Sequence, residues 1–168
     1  MTKICLGASL AVTLLALQGA AARAQVPATI AAPDTAAVAT FHAEGAQLYE
    51  CKKGSDGTLA WSFREPIATL MLDGRTVGRH FAGPTWEHVD GSAVTAKAVG
   101  HAPAATANDV DWLRLDVVAN RGSGVLTAVA TVQRINTSGG ALHGACDKAG
   151  SFRSVPYSAD YVFLRKAN

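Results

Sequence analysis

Residues 56–92 read DGTLAWSFREPIATLMLDGRTVGRHFAGPTWEHVDGS and carry three Asp-Gly pairs, Asp56-Gly57, Asp73-Gly74 and Asp90-Gly91, at equal intervals. Asp-Gly is a strong signal for a type I′ hairpin turn, which needs a positive φ at both central residues. Between the pairs, Trp61 and Phe63 alternate with Ser62 and Arg64, the period of a strand rather than a helix. Equal spacing predicts successive strands of similar length running up and down. The residues flanking the pairs differ, so this is a meander and not a repeat array.

The same period recurs along the chain. Leu113, Leu115 and Val117 share one face, with Arg114 and Asp116 on the other. Val129, Thr131, Gln133 and Ile135 alternate with Ala130, Val132 and Arg134, and Tyr157, Ala159, Tyr161 and Phe163 alternate with Ser158 and Asp160. Thr40–Cys51 reads as two short runs around Gly45, and the Ala-rich stretch at 102–107, broken by Pro103, as a loop. The expected fold is all-β, an antiparallel β-barrel or β-sandwich with meander hairpins. About eight to ten strands of the usual five to six residues would fit. Closing the sheet would remove exposed edges.

Residues 1–24 have the form of an export leader. Lys3 is the positive start, Ile4–Leu17 the short apolar run, and Ala22-Arg23-Ala24 a small-x-small cleavage pattern. The run is short of the roughly 20 residues that span a bilayer, so no transmembrane segment is expected after cleavage. Cys5 stands too early for a lipid-attachment site. Residues 25–36, punctuated by Pro27 and Pro33, read as an extended lead-in, and 37–168 as one β domain. Cleavage removes Lys3 and Arg23, leaving 13 basic against 13 acidic residues and no net charge. A concentrated basic surface for nucleic acid is therefore not expected. Loss of Cys5 leaves an even pair, Cys51 and Cys146, which suits a disulfide in a periplasmic or extracellular setting. Two separate buried thiols are the alternative.

The densest run of chemistry is Gly78–His88, with His80, Arg79, Trp86, Glu87 and His88 around Gly83-Pro84. Strands over 75–81 and 85–89 would place a bend or bulge at Gly83-Pro84, across which His80 and Glu87 could approach as an acid–base pair. Plainer roles stand beside this: Trp86 as a core or rim aromatic, His80 as a hydrogen-bonded structural histidine, Asp160 on a solvated strand face. His80 and His88 lack any recognised ligand spacing, so no metal and no cofactor is expected. Asn136-Thr137-Ser138 is a glycosylation sequon, meaningful only in a eukaryotic secretory pathway.

Four blocks, in order, resemble the DUF3455 family of secreted proteins of unknown function. They are Gly45–Cys51 (GAQLYEC), His80–Glu87 (HFAGPTWE) with Asp90-Gly91-Ser92, Val132–Thr137 (VQRINT) with Gly139-Gly140, and Val155–Tyr161 (VPYSADY). The resemblance covers essentially the whole domain. It implies a single domain with its cysteine pair at Cys51 and Cys146, and no catalytic residues to carry over. His88 departs from the pattern.

Two functional readings follow, from different classes. In the first, a binding module for a small ligand or surface component, Trp86, Tyr49 and Tyr161 supply apolar faces while His80, Glu87, Gln133 and Arg134 supply oriented polar groups. In the second, a hydrolase or lyase, His80 and Glu87 transfer protons, although no nucleophile or oxyanion donor completes the set. A structural envelope protein is a third reading.

Overall fold

The computed structural model describes residues 26–167, so the leader expected at 1–24 lies outside the described residues. Eight antiparallel strands close into one barrel in sequence order. They are β1 (Thr35–Lys53), β2 (Leu59–Leu72), β3 (Arg75–Phe81), β4 (Thr85–His88), β5 (Ala93–Ala102), β6 (Trp112–Arg121), β7 (Thr131–Gly139) and β8 (Phe152–Lys166). β8 returns to pair with β1, so no sheet edge is left open.

The expected meander is present, but its strands are unequal. A single 14-residue strand, β2, fills the first Asp-Gly interval, whereas the second holds β3 and β4, of 7 and 4 residues. Only Asp73-Gly74 has positive φ at both residues, 50° and 73°. At the other two pairs the Asp side chain builds the turn instead. Asp56 Oδ1 accepts from the backbone N–H and hydroxyl of Thr58, and Asp90 Oδ1 from those of Ser92. That side-chain turn needs no left-handed Asp. Gly45 does not divide β1, which runs unbroken for 19 residues. It sits where a Cβ would strike the Ile67 carbonyl and Ala68, so the glycine marks a close approach of β1 to β2.

Alternation sends Phe41, Ala43, Leu70, Trp86, Val132, Ala159, Tyr161 and Phe163 inward. The lower end holds the β2–β3, β4–β5 and β6–β7 connections. There Leu126 and Val129, from the last of these, are buried in the core as a plug. Asp90 secures the plug by accepting the Val125 N–H on Oδ2, in space that the absent Cβ of Gly124 leaves free. At the upper end the connections 103–111 and 140–151 meet through an Asp109–Gly140 bridge. The Cys51–Cys146 disulfide ties the end of β1 to the second of them. Such a bond contributes up to about 4–5 kcal/mol in the chain-entropy account.

Residues ahead of β1 form a strap with one 3-10 turn, Ala28–Ile30, across the outside of β5 and β6. Ile30 is fully buried beneath it. Arg114 donates to the Ala31 carbonyl, and Gly100 leaves room for the Thr29 carbonyl.

Candidate functional site

The β3–β4 hairpin decides which side chains reach the barrel interior. Its turn, Ala82-Gly83-Pro84 with a cis Gly83-Pro84 bond, pairs His80 with Trp86 and Arg79 with Glu87. Facing residues of an antiparallel pair share a side of the sheet, so His80 and Trp86 both point in. Their rings stack at 4.3 Å with 7° between planes, and Tyr161 of β8 sets its ring edge against both. β7 contributes Arg134, which lies opposite Leu113 of β6 and Tyr161 of β8.

These four expected residues, His80, Trp86, Arg134 and Tyr161, surround one cavity of about 340 Å³ in the upper half of the barrel. Its walls also include Gln47, Phe63, Arg64, Pro66, Pro84, Ala98, Leu113 and Leu115. An eight-stranded barrel is about wide enough to fill itself with side chains or to hold one small ligand. In this one the lower half is filled and the upper half is not.

The electrostatics of the cavity are unusual for a barrel interior. His80 is 3% exposed, and its Nδ1–H donates to the Thr85 carbonyl at 2.9 Å, leaving Nε2 as an acceptor. Burial pushes its pKa down to about 3, with Arg134 adding to the fall and the Thr85 hydrogen bond opposing it. The ring is therefore neutral at ordinary pH. Tyr157 and Tyr161 hold their hydroxyls 3.3 Å apart, and burial raises the pKa of both. Arg134 donates from Nε and Nη2 to the Asp111 carbonyl at 3.0 and 2.8 Å. Among the described residues it forms no ion pair. Two further donors, Gln47 Nε2 and Trp86 Nε1, are buried with no hydrogen-bond partner. Each such orphan costs on the order of 1–3 kcal/mol.

Glu87 and Gln133 are not part of this cavity. Glu87 lies on the outer surface, where its carboxylate receives Arg79 and Arg121, whose hydrogen bonds hold its pKa below the ordinary value. His80 and Glu87 thus occupy opposite faces of the sheet, and the acid–base pair expected from their spacing does not form. Gln133 also faces outward, under the strap, donating to the Ile30 carbonyl at 2.7 Å. Tyr49 is spent on the Gly140 carbonyl at 2.7 Å and packs edge-on against Phe63 rather than lining the cavity. Asp160 is engaged by His42 and Asn136 on the outer face. Among the described residues no group of three His, Cys, Asp or Glu side chains is placed to hold a metal, and no helix is long and apolar enough to cross a membrane.

Sequence reasoning missed Gln47 and the Phe63–Pro66 wall. Gln47 carried a readable signal: it continues the inward row Phe41, Ala43, Gly45 of β1 with a polar side chain. The Phe63–Pro66 wall carried none, because the β1–β2 register shifts at Leu48/Tyr49 and brings both Phe63 and Arg64 to the cavity.

Compared with known proteins, the chain matches over residues 31–165 the model of a family described as "Protein of unknown function (DUF3455)". No curated protein and no solved structure matches it.

Proposed function

Since the chain belongs to the DUF3455 family, which brings no activity with it, we propose from the barrel itself that the protein binds a small, largely apolar molecule in the upper cavity. The observation that carries this reading is an unfilled volume lined largely by aromatic and aliphatic side chains, next to buried donors that nothing among the described residues satisfies. Ligand pockets have this makeup, and the volume lies at the small end of their usual range. His80, Trp86, Arg134 and Tyr161 are the residues assigned to binding. Catalysis is less well supported, since Glu87 is on the outer face and, among the described residues, no Ser or Cys side chain lines the cavity with His80. A purely structural envelope role gives the cavity nothing to do. The leader at 1–24 and the disulfide both support placement outside the cytoplasm, in the periplasm or beyond.

The test is an NMR titration of the 15N-labelled protein with octanol as a neutral probe. The expected result is a shift of the Trp86 indole N–H and of the Leu113 and Leu115 amides, while Leu70 and Leu126 stay still. Shifts scattered over the outer surface, or none at saturating octanol, would refute it.

A further inference from the structure

The charge inside the cavity is one-sided. Arg64, at the rim, is already paired with Glu65 at 3.1 Å and lies over the Phe152 ring. Among the described residues Arg134 forms no ion pair: it donates twice to the Asp111 carbonyl and also engages the Tyr161 hydroxyl, neither of which cancels its charge. The other titratable groups facing it, His80, Tyr157 and Tyr161, are neutral at ordinary pH. Arg134 is half-buried and its bonds to Asp111 lie in exposed surroundings, so the guanidinium meets both the cavity and solvent with its charge unpaired. Gln47 Nε2 and Trp86 Nε1, on two of the lining residues, are donors too, so the polar character of this end of the barrel is that of donors, with one positive charge left unpaired.

We propose that the cavity takes a small amphipathic monoanion, a carboxylate on an apolar body, with its head on Arg134 and its body against Trp86, Phe63, Pro84 and Leu113. This rests on the cavity being a binding site, as argued above. A planar carboxylate matches the fork of an arginine in a two-point hydrogen bond. One unpaired cation balances one negative charge, whereas a phosphate monoester would bring nearly two. The Asp111 carbonyl keeps the guanidinium in place before the ligand arrives, which lowers the ordering cost of binding.

Calorimetric titration of the full disulfide-bonded protein with octanoate and with octanamide separates the parts of this account. The two probes have similar shape and differ in charge. Octanoate is expected to bind at least tenfold tighter. Arg134→Met is expected to abolish that preference, and Arg134→Lys to keep part of it. Equal affinity for the two probes would overturn the anion assignment and leave the cavity site standing. A preference that survives Arg134→Met would place the anion elsewhere, and tighter binding of octyl phosphate than of octanoate would overturn the single-charge assignment. If neither probe binds nor moves the Trp86 indole resonance, the cavity reading falls as well. The octanoate–octanamide comparison on the unaltered protein decides the matter even if an Arg134 variant does not fold.

Discussion

At the lower end of the barrel Phe41, Leu70, Leu126, Val132 and Phe163, each exposed by 1% or less, form a continuous apolar core closed by the β6–β7 plug. At the upper end the same inward rows carry Gln47, His80, Arg134, Tyr157 and Tyr161 beside an unfilled volume. β1 passes from Phe41 to Gln47 in three repeats of the pleat, and β7 from Val132 to Arg134 in one. A protein selected only for stability gains nothing from that change, because buried unpaired donors cost free energy. The lower half holds the fold, and the upper half, secured by a disulfide and two paired loops, is free to depart from good packing. Strain or unsatisfied groups that persist in one region point to use there.

Equal truncations at the two ends should have unequal costs. Leu70→Ala removes a fully buried side chain from the dry core and should cost about 2–5 kcal/mol. Leu113→Ala, beside existing free volume, should cost less than about 1.5 kcal/mol, since little new cavity is made. Denaturant unfolding of both variants checks this, and equal costs would erase the distinction between the ends. Next in size, replacing both Cys51 and Cys146 by serine should cost about 2–4 kcal/mol. Hydrogen exchange should quicken first at 140–151, with the lower half of β8 following only on global unfolding.

Smaller still is the acid response of His80. The folded chain keeps this ring neutral down to about 3, whereas in the unfolded chain it protonates near 6.5. In that interval the unfolded state holds the extra proton, so stability falls as pH falls through 6.5. Thermal or denaturant unfolding between pH 7 and 4.5 should show a loss of about 2–3 kcal/mol from this residue. His80→Gln should remove that slope, and an unchanged slope would mean the ring is not buried and neutral as described. The smallest effect is expected at Glu87, on the outer face between two arginines. Glu87→Gln should leave octanol and octanoate binding unchanged, and a loss of binding would return Glu87 to the site.

Strand alternation made much of this legible. Tyr157, Ala159, Tyr161 and Phe163 were readable as the buried row of β8, but on β7 alternation alone did not say which face is inner: Gln133 and Arg134 were both expected in the site, and only Arg134 reaches it. Loop lengths were not legible. Whether His80 meets Glu87 or Trp86 depends on a three-residue turn whose length sets the register, and no local pattern gives that number. Gly45 looked like a break because its reason for being glycine lies on the neighbouring strand. The bulge that brings Phe63 and Arg64 together at the cavity likewise belongs to the pairing of two strands, not to either sequence alone.

Ala98 lines the cavity from β5, so a larger side chain there should fill the space. Ala98→Phe is expected to leave the melting temperature unchanged or raise it, because the new ring enters existing volume. The same variant should lose the octanol-induced shift of the Trp86 indole resonance. Octanol shifting that resonance in Ala98→Phe with unaltered affinity would contradict the assignment of the upper barrel as the binding site.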